Sequence, residues 1–572
     1  MSMDLHRTTR IAYRQYLLAF MLIASPASHA VLTDSLTIGN AKALGLGHAV
    51  TADPPGIDSI HFNPAGLTRL KGRQREIKLI GGAFNIELEF SDGYTDTWTE
   101  RLEAAQVGAP EGFTFDESNG QTSETEGAAL MVPFVGLTKL PLLLAPLGGA
   151  SYSPPESKIT FATNVYSPLM VGFSRADDDP GRFMGEALSF TLLTYFSPSV
   201  AVQVTDTLSI GGTLTFNYAG VGLDLPFREP NQGLHWLESL RQGSCLQEGE
   251  LPDGNLTFSD FIPCIPEDEA VKVYDTLGYL SFEVEKSLTF GMNVGVLWEA
   301  MPWLHLGAVY QSPISMDMEG EFTWDQGASL LNFFQQLEAG LPIQFNTLPG
   351  QLQALNSLVE PKTEGKIKVD MTMPEHFAIG TSVQLTPSFK VNADWKFTRW
   401  SEWEEIPLEL SKPIGVIVIA NAVQPEAAPP PAGQGVAFPL GLEDTWNLSL
   451  GFEYQWNDQL ALRVGFEDRP SSIPKTSRSP LLPIGDAKLY SLGAEYKLNN
   501  TDSLNFAIAS MKSTVSMPGG CFRLDRDEEL NTCGNLGNAE EYSQFIYNPY
   551  SGSSIEAKLD VLLIEASYRS VW

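Results

Sequence analysis

The stretch Ile60-His61-Phe62-Asn63-Pro64-Ala65-Gly66-Leu67 forms a compact bend in front of about five hundred residues of alternating apolar and polar pattern. Pro64 fixes its own φ and moves Asn63 out of the helical region, and Gly66 permits a turn that a Cβ would disfavour. An isolated match of this kind is usually an ordinary turn. Its position ahead of so long a β pattern instead predicts a rigid plug inside a barrel.

Residues 1–30 have the features of a secretory signal peptide. Arg7, Arg10 and Arg14 precede an apolar run at 16–24, and small residues follow at 28–30. This run is too short to cross a bilayer as a helix, and no later run of eighteen apolar residues appears, so a helical membrane protein is excluded. The remaining length shows no composition break between domains, which favours one large closed sheet.

Alternation through the body of the chain is typical of transmembrane strands, which need an apolar lipid face and paired backbone groups. The clearest segments are 208–218, 290–298 and 562–572. They predict an all-β fold, a transmembrane antiparallel β-barrel, although a secreted soluble β-sandwich also alternates and stays open as an alternative. Aromatic residues suited either to the membrane interfaces or to the core are Trp298, Trp303, Tyr310, Trp395, Trp400 and Trp403.

The formal net charge of −33 and the pI near 4.5 exclude nucleic acid as a partner, because phosphates need a basic surface. Acidic loops could hold divalent cations shared with lipopolysaccharide, and a solvated acidic surface explains the charge equally well. Four cysteines form two candidate loop disulfides, Cys245 with Cys264 and Cys521 with Cys533. Neither pair has metal-site spacing, so no metal is expected.

The run from Gly39 to Leu70, with Gly45, Gly47 and Pro54, resembles the hatch of the outer-membrane long-chain fatty acid transporter family (FadL-like). Later segments at 291–297, 306–312, 373–377, 394–401 and 462–470 resemble successive hairpins of that family's barrel. The resemblance implies a hatch at 31–72 that plugs a barrel of about fourteen strands at 73–572. It also implies a place in the outer membrane of a Gram-negative bacterium.

The same resemblance implies passive uptake of hydrophobic molecules, either long-chain fatty acids or neutral hydrocarbons, which leave the barrel sideways into the outer-membrane lipid. Hatch residues Phe62, Asn63, Pro64, Ala65 and Gly66 would gate the pocket, and the breaker-rich stretch from Pro141 to Pro155 could bend the third strand or the loop that leads to it. The terminal aromatic Trp572 resembles the signal read by the outer-membrane assembly machinery. A closed barrel that works as a monomer, without cofactor, is expected.

Long extracellular loops are expected at about 226–277 and 320–365. Leu330, Phe333, Phe334 and Leu337 recur at helical spacing and would either capture substrate in a greasy groove or pack the loops together. The resemblance also places a substrate pocket near Phe216, Tyr218 and Gly220. No basic residue follows there before Arg228, which favours a neutral cargo, because an unpaired buried carboxylate is costly.

Three other functions compete with uptake of apolar molecules. A water-filled porin for polar solutes is disfavoured by the plug and the greasy loops. A barrel lipid hydrolase is disfavoured because the sequence has no Gly-x-Ser-x-Gly elbow or His-Glu-x-x-His pair, so no enzyme is expected. An adhesin or phage-binding barrel remains open.

Overall fold

The computed structural model describes residues 36–91, 116–228, 234, 265–266, 269–272, 274–340, 355–417, 434–474, 483–517, 526–527, 532–533, 549–550 and 553–572. The predicted signal peptide lies outside these residues, as do Cys245, Cys264 and Cys521. Cys533 is described only as part of the short strand Thr532–Cys533. The signal peptide and the two disulfides therefore stay predictions.

Fourteen antiparallel strands, counted over the described residues, close into one barrel. Strand β1 pairs with β14 along its length, from Gln74 opposite Val571 to Ser91 opposite Ser554, so the first and last strands close the sheet. The predicted barrel of about fourteen strands is confirmed. The strands are β1 (Gly72–Ser91), β2 (Leu143–Ser153), β3 (Ile159–Ser174), β4 (Ala187–Phe196 and Ser199–Gln203), β5 (Leu208–Phe227), β6 (Gly278–Met301), β7 (Leu304–Gln311 and Ile314–Gln326), β8 (Lys362–Met373 and His376–Thr386), β9 (Phe389–Thr398 and Glu405–Leu410), β10 (Gly435–Pro439 and Thr445–Gln455), β11 (Leu460–Arg469), β12 (Ala487–Lys497), β13 (Asp502–Met517) and β14 (Ser554–Val571).

The two ends of the barrel differ in the length of their connections. Short turns join strand pairs at one end, and long connections lie at the other, as in outer-membrane barrels with short periplasmic turns and long outer loops. We refer to these as the short-turn end and the long-loop end. The short turns are 154–158, 204–207, 302–303, 387–388, 456–459 and 498–501.

The segment in front of β1 forms a hatch inside the barrel. It contains α1 (Ala41–Gly45), α2 (Ser59–Phe62) and the 3-10 helices Gly56–Asp58 and Pro64–Arg69. Asn40 begins α1 as its cap, since Asn40 Oδ1 accepts from the amides of Lys42 and Ala43 at 3.0 Å each. The hatch occupies 36–71 of the described residues, and nearly all of it is buried.

Smaller elements lie at the long-loop end. A short strand, Thr122–Glu124, and a separate hairpin, Ala128–Val132 with Gly136–Leu140, precede β2. Helix α3 (Ala328–Gly340) follows β7. The 3-10 helix Arg182–Met184 lies between β3 and β4, and the 3-10 helix Trp400–Glu402 lies between the two segments of β9. A further short strand pair joins Arg526–Asp527 to Thr532–Cys533. No helix in the described parts of the chain is long and apolar enough to cross a membrane.

Side chains alternate between lipid and lumen along the strands, as predicted. In β6, Phe290, Met292 and Val294 are exposed, whereas Thr289 and Asn293 are buried. In β14, Leu562 and Ile564 are exposed while Leu563 and Glu565 are buried. Such an apolar outer band is the surface that lipid chains require.

Four of the six interface aromatics face outward as predicted, and two do not. Trp298, Trp303, Tyr310 and Trp395 are exposed, whereas Trp400 and Trp403 are only 0% and 6% exposed. Alternation continued from Asp394 and Thr398 already places Trp400 inside. The 3-10 helix Trp400–Glu402 between the two segments of β9 turns Trp403 into the core as well. The outward placement of Trp403 depended on an unbroken two-residue alternation, and the helix interrupts that alternation just before this residue.

The two long loops are shorter than predicted at their strand ends. Strand β5 continues to Phe227, β7 continues to Gln326, and β8 begins at Lys362. In this part of β7, Glu319 and Glu321 face outward while Phe322 and Trp324 are buried. The strand therefore extends beyond the lipid band, where its outer face is charged. A sequence search for strands with an apolar outer face does not recognise this part of the strand.

Candidate functional site

The predicted bend lies buried where the hatch meets the barrel wall. Asn63 is 0% exposed, and its Nδ2 donates to Thr51 O at 2.8 Å and to Val296 O at 3.0 Å, while its Oδ1 accepts from the Ala65 amide at 3.2 Å. Because Val296 belongs to β6, one side chain both shapes the bend and ties it to the wall. The other predicted hatch residues, Phe62, Pro64, Ala65 and Gly66, are buried beside it.

Gly66 is needed for a different reason from the one predicted. Its φ is not in the left-handed region, so turn geometry does not demand a glycine there. An added Cβ would lie 2.7 Å from Pro54 Cβ and 2.9 Å from Ser59 Oγ. Close packing of Pro54 against the bend therefore excludes a side chain.

The hatch rests against a set of inward-facing glycines in the barrel. A Cβ on Gly451 would lie 2.7 Å from Leu46 O, one on Gly380 would lie 2.8 Å from Thr51 Cβ, and one on Gly493 would lie 3.0 Å from Gly45 Cα. Every larger residue at these positions would push the hatch away from the wall. We call the set the wall glycines; they are Gly211, Gly295, Gly307, Gly380, Gly451, Gly465 and Gly493, one on each of β5–β8 and β10–β12.

Ion pairs connect the hatch to β9 and β10. Asp53 lies 2.9 Å from both Lys42 Nζ and Lys390 Nζ, and Lys390 lies 3.0 Å from Glu453. Burial acts to raise the pKa of Asp53, but the cations of Lys42, Lys390 and Arg69 outweigh it and hold that pKa well below its usual value. Asp53 is therefore charged whenever the hatch is seated, and the pairs act as a salt-linked anchor.

The side of the hatch that faces β3 and β4 contributes an apolar cluster. Ile57, Ile60 and Leu67 share one cluster with Tyr166 of β3 and Ala201 of β4. His61 lies against Tyr166 as well, with ring centroids 5.3 Å apart. Burial lowers the pKa of His61 to about 3, so this side of the hatch carries an uncharged imidazole. The hatch thus contacts the wall through an apolar cluster as well as through ion pairs, and on the β3 side Asp58 also accepts from Asn164 Nδ2 at 2.5 Å.

An apolar region fills the lumen between the hatch and the long-loop end. Trp403 crosses it, since its ring lies 5.9 Å from Phe190 of β4 and 5.2 Å from Trp400. Trp403 Nε1 donates to Thr372 O at 2.6 Å, which fixes the indole. We call the region the apolar lumen; its buried members include Leu169, Leu192, Leu223, Leu225, Phe282, Val284, Met316, Met318, Phe322, Ile367, Val369, Leu408, Leu410, Trp400 and Trp403.

Phe216, predicted to contact substrate, lies on the outer face of the barrel. Its ring is 5.5 Å from that of Phe196 and 5.4 Å from that of Phe290, and both partners are exposed. The lumen-facing neighbour is Asn217, which is 0% exposed. A contact between Phe216 and cargo inside the lumen is therefore not expected, because one residue of register separates the two faces.

Tyr218 and Gly220 also lie on the outer side of β5, beneath the separate hairpin. The Tyr218 hydroxyl donates to Glu285 Oε2 at 3.0 Å, and a Cβ added to Gly220 would lie 3.0 Å from Met131 Cβ. The lumen-facing residue between them is Ala219, which belongs to the apolar lumen. The predicted pocket near residue 220 is thus a covered outer surface.

The four apolar residues predicted on a helix are confirmed on α3, but they are buried. Leu330, Phe333, Phe334 and Leu337 are at most 8% exposed. They pack with loop residues Leu234, Ile265, Val271, Leu277 and Leu358. The geometry matches the alternative in which the stripe packs the loops together, rather than the exposed groove.

The kink in the third strand lies at 167–168 and not between Pro141 and Pro155. Tyr166 of β3 pairs with Thr194, and the next pair is Leu169 with Leu192, so Ser167 and Pro168 form a bulge. A bulge tolerates proline because no ladder hydrogen bond is lost there. Pro146, by contrast, sits in the regular β1–β2 ladder opposite Leu79.

Comparison with known proteins places these features in context. The family model described as "Outer membrane protein transport protein (OMPP1/FadL/TodX)" matches residues 19–518. The long-chain fatty acid transport protein of Escherichia coli K12 is 21% identical over 222 residues, 39% of this chain and 41% of that protein. Outer membrane protein P1 of Haemophilus influenzae is 24% identical over 226 residues, 39% of this chain and 38% of that protein. These matches span about two fifths of the relatives' length.

Solved structures share the architecture at low sequence identity. A Pseudomonas aeruginosa FadL homologue has a TM-score of 0.59 at 14% identity, covering 95% of this chain and 100% of that one. The Pseudomonas putida toluene transporter TodX has a TM-score of 0.55 at 15% identity, covering 93% of this chain and 98% of that one. The similarity supports the hatch-filled barrel fold.

Proposed function

The chain belongs to the outer membrane protein transport family (OMPP1/FadL/TodX), and we propose that it takes up neutral hydrophobic molecules passively across the outer membrane. The observation that carries the proposal is the apolar lumen, which lies between the long-loop end and the hatch and is lined by aliphatic and aromatic side chains. Such a lining offers dispersion contacts and dehydration to an apolar solute and little to a polar one. Transport without chemistry or cofactor follows from this lining.

Charge pairing favours a neutral cargo over a fatty acid. A carboxylate bound inside the barrel needs a cationic partner, because removing an unpaired carboxylate from water costs roughly several kcal/mol. Five lysine and arginine side chains are buried among the described residues. Arg175, just beyond β3, lies 3.8 Å from Asp179 and donates from Nε to Ser123 Oγ, and the other four each have a carboxylate within 2.9 Å. The pairs are Lys78 with Asp58 at 2.5 Å, Arg228 with Asp116 at 2.7 Å, Arg463 with Glu453 at 2.7 Å, and Arg469 with Glu467 at 2.9 Å.

The route proposed for the cargo is lateral. Passage straight through would require the hatch to leave the wall glycines and to break the pairs of Asp53 with Lys42 and Lys390. An apolar solute offers no charge that could replace those partners. Beside β3, the β1–β2 ladder ends at Gly82 opposite Leu143, and the β2–β3 ladder ends at Gly148 opposite Val165. We place the exit into the outer-membrane lipid above these points.

The remaining partners follow from the closed sheet and its outer surface. The pairing of β1 with β14 closes the barrel within one chain, which supports a monomer. The exposed apolar band on β6 and β14 suits outer-membrane lipid, and lipopolysaccharide would meet the charged outer faces beyond it. Trp572 at the end of β14 is exposed and would be available to the assembly machinery.

The test compares uptake of radiolabelled hexadecane and oleate in cells with and without the protein. Phe282→Ala and Phe290→Ala form a matched pair, because both residues lie in β6, the first in the apolar lumen and the second on the outer face. We expect protein-dependent hexadecane uptake that Phe282→Ala lowers and Phe290→Ala leaves unchanged. Uptake of oleate alone would refute the neutral cargo, and a large steady ion current in planar bilayers would favour the porin.

A further inference from the structure

The separate hairpin at the long-loop end occupies a gap in the barrel wall. It consists of Ala128–Val132 and Gly136–Leu140, and its two strands pair with each other but not with the barrel sheet. In the described part of the chain, β3 has no strand partner on its β2 side from Tyr166 until Ser174 bridges to Gly127. The gap is bounded by β1, the top of β2 at Leu143, and β3. We call this element the gap hairpin.

One face of the gap hairpin lies against the outer side of β3, β4 and β5. The Met131 amide donates to Ser189 Oγ at 2.8 Å and to Thr191 Oγ1 at 3.2 Å, both on β4. On β5, a Cβ added to Gly222 would lie 2.8 Å from Met131 Sδ and 3.2 Å from Leu137 Cβ. Glycine thus leaves room for the hairpin, and two hydroxyl groups hold its backbone.

The other face of the gap hairpin closes the gap with apolar side chains. Ala128 and Leu130 share a cluster with apolar residues of β1, β2 and β3. A path between lumen and lipid at this point would therefore be apolar throughout. The residues of the cluster that border the gap are Phe84, Ile86, Leu143, Met170 and Phe173.

The tip of the gap hairpin is exposed and apolar. Phe134 is 93% exposed and has a φ of 65°, and Val135 is 72% exposed. A bulky residue in the left-handed region is strained and persists only where its surroundings hold it. Leu142 and Leu144 beside the gap are exposed as well. Apolar groups on the outside of a barrel suit contact with lipid chains.

We propose that the gap hairpin is a door that closes the lateral exit and swings outward when cargo leaves. The inference rests on the proposed uptake of apolar molecules. Neighbouring strands of the wall are joined by ladders of backbone hydrogen bonds, whereas the door is joined to β4 by one amide and two hydroxyls. Its base bridges to β3 through Gly127 and Ser174, and Lys139 lies 3.6 Å from Asp224 of β5. A cargo molecule can replace the apolar contacts of Ala128 and Leu130 as it passes, so opening exposes little new apolar surface to water.

A disulfide between the door and the wall provides the test. Leu137→Cys with Gly222→Cys brings two Cβ atoms to about the separation that a disulfide needs. We expect the oxidised variant to take up hexadecane at least tenfold more slowly than the same variant after reduction. The unmodified protein under both conditions controls for its native cysteines. Unchanged uptake by the oxidised form, with the cross-link verified by mass spectrometry, would overturn the proposal.

A second variant loosens the door instead of locking it. Ser189→Ala with Thr191→Val removes both acceptors of the Met131 amide, and leaving a buried donor unpaired should raise the open population about threefold or more. We expect a matching rise in the initial rate of hexadecane uptake. If the wild-type protein takes up hexadecane and the variant does so at the same rate, the proposal that the gap hairpin is a door is refuted. Absence of protein-dependent uptake in the wild type would overturn the proposed function, and the door with it.

Discussion

Gly211 and Gly212 are adjacent on β5 and face opposite sides of the wall, so they separate hatch contact from other effects of glycine. A Cβ on Gly211 would overlap main-chain atoms of Pro64 and Ala65, whereas a Cβ on Gly212 would meet only Asn293 O at 3.9 Å. The obstructing atoms at Gly211 belong to the backbone, so a change of rotamer cannot make room. Gly211→Ala should displace the hatch, and Gly212→Ala should not.

The magnitude follows from overpacking. Forcing an extra methyl group into a tightly packed contact costs about 1–3 kcal/mol. Both substitutions also increase the free energy of unfolding by roughly 0.5–1 kcal/mol, because glycine loses more chain entropy on folding than alanine does. That gain is the same in the two variants and cancels in their comparison. The remaining cost falls on hatch docking and corresponds to about a 5–150-fold larger population of undocked hatch.

Hydrogen exchange of the hatch peptide measures this population. The Val50 and Thr51 amides both donate to Asp394 Oδ2 at 2.7 Å, so they are protected only while the hatch is seated. We expect their exchange to be faster in Gly211→Ala by the factor above and unchanged in Gly212→Ala. Equal protection in the two variants would refute the view that the wall glycines seat the hatch.

Three further predictions concern the hatch and the lumen. Asn63→Ala removes one hydrogen bond from the hatch to the wall and two within the hatch, and it should weaken hatch docking by about 1–3 kcal/mol, seen as faster amide exchange. The loop substitution Asn356→Ala should leave exchange unchanged, and equal exchange in the two variants would contradict the assignment. The pKa of His61 is about 3 in the seated hatch and 6.5 when released, so the released hatch binds more protons, and docking should lose about 2 kcal/mol between pH 7 and pH 5. His61→Phe should remove the His61 part of that loss and leave the part that comes from the buried His48, whose pKa burial also lowers. Trp403→Ala should lower hexadecane uptake because it removes the indole that crosses the lumen, whereas the exposed Trp456→Ala should leave uptake unchanged; equal rates would exclude the lumen contact.

Local constraints explain what the sequence predicts well. The bend at 63–66 depends on Pro64 and its neighbours, and the lipid-facing band depends on a two-residue alternation repeated in strand after strand. Residues such as Ile210 and Leu214 are exposed accordingly. The same alternation already assigned Phe216 to the apolar outer face, and the structure supports that assignment against the placement suggested by family resemblance.

Contacts across the lumen explain what the sequence does not predict. Asn63 meets Val296, and His48 meets Glu467 at 2.8 Å, over sequence separations that no local pattern encodes. Trp403 points inward only because β9 is interrupted just before it. One signal was available, since glycine recurs on the lumen-facing side of strand after strand, as at Gly295 and Gly307, where close approach of another backbone is the usual reason.

The exit route of the cargo depends on which contacts an apolar molecule can replace, those of the hatch or those of the gap hairpin. The hatch is seated by close contact with the wall glycines and by the ion pairs of Asp53, and an uncharged solute can substitute for neither. The gap hairpin is held by apolar packing of Ala128, Leu130 and Met131, by two hydroxyl acceptors for one amide, and by one partly exposed ion pair of Lys139 with Asp224. A hydrocarbon supplies the same burial, so it competes with the hairpin and not with the hatch. A passive barrel with this arrangement should release its cargo sideways into lipid while the hatch stays closed.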